Sequence, residues 1–101
     1  MWIVVLFDLP TNTKKERKAA SGFRTKLLKD GFTMFQFSVY MRHCPSRENA
    51  QVHVERTKLN LPPYGKVAFI MFTDRQFGMM EVFYATKKTD TPRGPQQLEM
   101  F

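Results

Sequence analysis

Met1–Phe7 is apolar at every position, so both alternating sets, Met1, Ile3, Val5, Phe7 and Trp2, Val4, Leu6, favour burial. This predicts a central strand covered on both faces, and Pro10 forbids its simple continuation. The period then changes. Thr13 and Glu16 form a T-x-x-E capping box. Ala20, Phe23 and Leu27 recur as an inner helical stripe, with Lys14, Lys18, Thr25 and Lys29 outside. Gly31 after Asp30 predicts the stop. Phe32–Cys44 reads as strand, with a tight break expected near Gln36–Ser38 that divides it in two. Ser46 caps a second helix, whose buried face is expected to be Ala50, Val54, Thr57 and Leu61, with Pro62–Pro63 ending it. Lys66–Phe72 is again apolar on both faces, and Met79–Tyr84 and Gln96–Phe101 are shorter candidate strands.

The order is β-α-β-β-α-β plus a tail, the ferredoxin-like split βαβ arrangement of an α+β fold. Both helices then lie on one sheet face. The other face is apolar on the first and fourth strands too, and leaving it wet costs about 25 cal/mol per Å². A twofold homodimer packed through its sheets is the simplest cover. Residues 1–85 are expected to form the domain, and 86–101 a C-terminal loop and short partner-pairing strand, with Lys87–Pro95 flexible.

With 101 residues, 43% hydrophobic and 25% charged, the chain has the balance of a single globular domain. Its longest apolar run is far short of the ~20 residues of a membrane helix, no basic segment precedes it as in a signal peptide, and Cys44 is its only cysteine. These features imply a cytoplasmic protein. The net charge of +7 points to a polyanionic partner. Residues 11–30 carry a net five of those charges.

Asp8 stands just past the first strand beside a Pro-stiffened bend. A carboxylate there either binds Mg²⁺, which takes oxygen ligands and keeps several waters, or caps the turn. The other strand-end acid, Asp74, is expected at the far end of the sheet, so Asp8 has no acidic helper unless it meets its own copy across a twofold. Lys14, Lys15, Arg17 and Lys18 crowd a helix start, where cations are unfavourable by about 0.3–1 kcal/mol each; an incoming phosphate would relieve them. The alternative is a solvated face with no partner. His43 and Cys44 lack a second pair to complete a zinc set, and His53 reads as a packing histidine at the edge of the buried stripe.

The strand ending in FDLP, the helix start T-x-x-E-R, GF before the next strands, QFSVYMR, the late TDRQF and PQQLEMF together resemble the CRISPR-associated protein two family. That family is the small subunit of the spacer-acquisition machinery. The resemblance covers almost the whole chain. It implies a ferredoxin-like homodimer that binds double-stranded DNA and bridges two dimers of the larger CRISPR integrase. It also implies a metal-dependent endonuclease acting on RNA or DNA, with Mg²⁺ held by a catalytic Asp8. Cations contacting nucleic acid fall, by charge alone, on Lys14, Arg17, Lys18 and Arg42. In the family a tail strand often extends the partner's sheet; here that is Met79–Tyr84, with Gln96–Phe101 free for partner or integrase contacts. Two other readings remain: a non-catalytic nucleic-acid scaffold, and a ferredoxin-like regulatory domain, which the +7 charge disfavours.

Overall fold

Strand β1 (Trp2–Asp8) lies inside a four-stranded antiparallel sheet of order β2-β3-β1-β4, in a computed structural model that describes residues 1–92. On one side it pairs with β3 (Val39–His43), on the other with β4 (Lys66–Phe72). Helix α1 (Lys14–Lys29) connects β1 to β2 (Thr33–Gln36), and α2 (Arg47–Lys58) connects β3 to β4. The succession through β4 is β-α-β-β-α-β, as the hydrophobic pattern predicts.

The alternation of β1 sorts its side chains between two layers. Ile3, Val5 and Phe7 pack with Phe23 and Leu27 of α1 and Ala50 and Val54 of α2 in the larger core. Burying each large apolar side chain there contributes about 1.5–3 kcal/mol. Trp2 and Val4 face the opposite layer, where Met41, Phe35, Phe72 and Phe77 form a smaller cluster. Both capping predictions hold. Thr13 and Glu16 make the reciprocal box, and Ser46 Oγ accepts from the Asn49 N–H at 3.0 Å. Asp30 is the C-cap of α1, and Gly31 follows with φ +86°, the left-handed conformation that glycine tolerates.

Four details differ from the sequence pattern. Helix α2 ends at Lys58, so Leu61 lies beyond it and is exposed, while His53, expected to pack at the edge of the stripe, is buried beside Ala50, Val54 and Thr57. A short helix, α3 (Asp74–Gly78), follows β4 and lays Phe77 flat against Trp2, ring centroids 4.0 Å apart. The strand expected over Met79–Tyr84 is β5 (Val82–Tyr84) alone. It pairs with β6 (Lys87–Thr89), inside the stretch expected to be a loop, and the turn between them sits at the 85/86 junction. Gln96–Phe101, the second candidate tail strand, lies outside the described residues.

Candidate nucleic-acid and metal site

Asp8 ends β1 opposite Lys66 of β4, exposed to solvent. Its position in the alternation places it on the same side as Val4 and Leu6, away from the helices. A hollow of about 460 Å³ there is lined by Asp8, Leu6, Ser38, Lys66, Ala68 and Ile70. A neighbouring apolar groove of about 430 Å³ runs over the helix-free face between Val4, Met41, Phe72 and Met80. The two hollows share Leu6, Val39 and Ile70. The carboxylate therefore stands on the rim of the uncovered face. Pro10 stiffens the exit, and Gly65, with φ +85°, lets the start of β4 pass close behind: a Cβ there would lie 2.5 Å from the Asp8 carbonyl oxygen.

Asp74 lies at the opposite end of the sheet, as the antiparallel pairing of β1 and β4 requires. There it receives hydrogen bonds from the Met1 ammonium and from His43 Nε2 at 3.2 Å, and the ammonium contact leads in holding its carboxyl below the ordinary value. Among the described residues no three His, Cys, Asp or Glu gather as a metal cluster. Asp8 is the single carboxylate among the described residues lining its hollow, and a sparse donor set of that kind is one that only an ion keeping most of its waters can use.

The basic helix start is open to solvent at Lys14, Lys15, Arg17 and Lys18. Arg17 also folds back, its Nη1 donating to the Thr11 and Asn12 carbonyls at 3.1 and 3.4 Å, which ties the β1–α1 loop to the helix. Arg42 is not beside these residues. It lies at the other end of α1, where its Nη1 donates to the Asp30 carbonyl at 2.6 Å. The Asp30 carboxylate accepts from His53 Nδ1 at 2.9 Å and Arg56 Nη1 at 2.6 Å. Burial pushes this carboxyl upward, but the two hydrogen bonds and cationic neighbours outweigh it and hold it below its ordinary value. His53 thus does more than pack. Cys44 is buried, and burial raises its thiol.

Lys66 was not singled out from the sequence, although pairing the first and fourth strands antiparallel places it across from Asp8. The turn at Phe37–Ser38 falls at the tight break expected near Gln36–Ser38, but the aromatic residue it exposes carries no local signal. Phe37 is 68% exposed at its tip, and the Arg24 guanidinium lies over its ring, 4.0 Å from the centroid.

The family model described as CRISPR associated protein Cas2 matches residues 1–80. The chain is 59% identical over 101 residues to the "CRISPR-associated endoribonuclease Cas2" of Flavobacterium psychrophilum, covering 100% of this chain and 88% of that one. It is 52% identical to the protein of the same name from Parvibaculum lavamentivorans, over the full length of both. The crystal structure of Streptococcus pyogenes Cas2 at pH 6.5 superimposes with a TM-score of 0.59 at 20% identity, covering 83% of this chain and 100% of that one, which is a likeness of fold. With a family model spanning most of the chain and full-length relatives above half identity, the protein belongs to the CRISPR-associated Cas2 family.

Proposed function

We propose that this chain is a ferredoxin-like homodimer that hydrolyses phosphodiester bonds in RNA with the help of Mg²⁺ at Asp8, and that the same body holds duplex DNA for the larger CRISPR integrase during spacer acquisition in the cytoplasm. The relatives' name, endoribonuclease, supports the first activity. The observation that carries it is the place of Asp8 on the rim of the uncovered sheet face. A second copy packed through that face brings two Asp8 carboxylates toward one axis and covers the apolar groove in the same step.

When bound, Mg²⁺ supplies a Lewis acid for the phosphoryl oxygens and lowers the pKa of a bound water. Asp8 would hold the ion and fix its position through a strand anchored on both sides. Lys66, across from it, would hold a phosphate oxygen by charge. The covered face would shield the reacting end of the hollow from bulk water, where these charges act more strongly.

The duplex-holding role is supported by the cationic start of α1. Lys14, Arg17 and Lys18 present exposed positive charge at the helix N-terminus, whose dipole also favours an anion, an arrangement suited to phosphate. Arg42 extends this reading along the helix: Lys14 and the α1 C-terminus are separated by about 1.5 Å per residue, so one backbone touching both would follow α1 from end to end. Each phosphate neutralised releases counterions and makes binding salt-sensitive.

Asp8→Asn tests the catalytic half. RNA cleavage in Mg²⁺ should fall to background, while thermal stability changes by no more than about 0.5 kcal/mol because the side chain is exposed. Spacer integration in the presence of the integrase should persist. Cleavage by the variant at the wild-type rate would overturn the assignment of Asp8.

A further inference from the structure

We propose that Phe37, propped by Arg24, is a stacking platform for an unpaired nucleobase at the Asp8 end of the sheet. The inference deepens the nuclease reading and rests on it: it makes the substrate single-stranded at the point of contact. Phe37 occupies a two-residue turn between β2 and β3, where small polar residues and glycine are the usual choice. Its ring is exposed, yet fixed. One face lies against the Arg24 guanidinium at 4.0 Å, and Arg24 Nε also reaches the Phe37 carbonyl at 3.4 Å. The same guanidinium lies 5.4 Å from the ring of Phe7, which anchors it to the core. The turn is tied to β1 in turn, since the Phe7 N–H donates to the Ser38 carbonyl at 3.0 Å, one residue before Asp8.

A rigid aromatic face with a cation behind it meets the requirements for base stacking. Every base has a π-face, so such contacts tolerate sequence. In an intact duplex those faces are already occupied by neighbours, so the platform selects unpaired bases. Pre-ordering by Arg24 lowers the entropy lost on binding. Arg24 is a positioning residue here, and its charge also attracts the phosphates that flank the base.

The test uses short oligouridine and oligothymidine strands carrying a fluorescent purine analogue whose emission is quenched by stacking. Wild-type protein should quench it, and Phe37→Trp should do the same. Phe37→Ala and Phe37→Leu should lose the quenching and bind the single strand about five- to a hundredfold more weakly, with duplex affinity unchanged. Leu keeps the apolar volume and discards the π-face, which separates stacking from a loss of packing. Quenching with either strand type, lost in Phe37→Ala and Phe37→Leu, supports the platform. Wild-type affinity and quenching in Phe37→Ala would overturn the platform and leave the nuclease reading standing. A wild-type protein that binds neither strand nor duplex would overturn both.

Discussion

The Cα of Gly65 faces the carbonyl oxygen of Asp8 so closely that a Cβ would lie 2.5 Å from it, and 2.9 Å from the Leu9 Cα. Both neighbours are backbone and cannot swing away. Gly65→Ala must therefore shift the exit of β1, and its φ of +85° adds a left-handed penalty of about 1–2 kcal/mol. The expected result is a less stable protein whose RNA cleavage falls further than its folded fraction. Cleavage per folded molecule, measured beside thermal unfolding, checks this; a variant that loses stability but keeps full specific activity would show that Asp8 tolerates the shift.

Asp30 joins the two helices, capping α1 while bound to His53 and Arg56 of α2. Its carboxyl is held below the ordinary value despite burial. Such a group adds stability above its unfolded value, near pH 3.9, and loses that contribution as pH falls through the lower folded value. Asp30→Asn should cost about 1–3 kcal/mol at neutral pH. The gap from wild type should close on acidification below about pH 4. Denaturant unfolding of both proteins across that range is the measurement, and a gap that stays constant with pH would place the loss elsewhere.

Reversing Lys14, Arg17 and Lys18 to Glu should abolish tight duplex binding and lower the dependence of log affinity on log salt by about three. The fold should survive, since negative charge at a helix N-terminus is favourable by about 0.3–1 kcal/mol per site. Some of that gain is offset by the lost Arg17 contacts to Thr11 and Asn12. Binding isotherms at several salt concentrations, with circular dichroism as a control, decide the matter. An unchanged slope would move the phosphate contacts away from the helix start.

Ile70 faces the uncovered groove and is already 42% exposed in the single chain. Ile70→Glu should leave the folded chain within about 1 kcal/mol of wild type while preventing association through that face. Sizing should then give a species of 11.9 kDa for the variant and twice that for wild type. Equal masses for the two proteins would count against packing through this face.

The parts of the fold visible in the sequence are those with local causes. Thr13 with Glu16, and Ser46, announce helix starts through contacts spanning three residues. The doubly apolar β1 and β4 declare themselves because both layers need them. The run Phe32–Cys44 is too long for one strand of this sheet, and the turn at Phe37–Ser38 divides it near Gln36–Ser38, as expected, with a register shift between Met34 and Gln36. Helix α3 is too short to show a period, although Thr73 and Gln76 form the same reciprocal box as Thr13 and Glu16. Strand β6 has no apolar residues to signal it, and its turn uses Ala85 at φ 54° in place of glycine or asparagine. For the site, Asp8 was legible as a strand-end acid. The Asp30–His53 and Arg24–Phe37 contacts join residues 23 and 13 positions apart, beyond any local pattern.

The β5–β6 ribbon bonds to no strand of the main sheet among the described residues. Two strands alone are marginal in water, so their amides should exchange with solvent almost freely in an isolated chain, whereas those of β1, flanked on both sides, exchange only through global opening. Deuterium uptake along Val82–Thr89 thereby tests whether the proposed second copy docks on this ribbon: protection beyond what two strands sustain by themselves is the outcome expected if it does, and free exchange in the dimer the outcome if it pairs elsewhere.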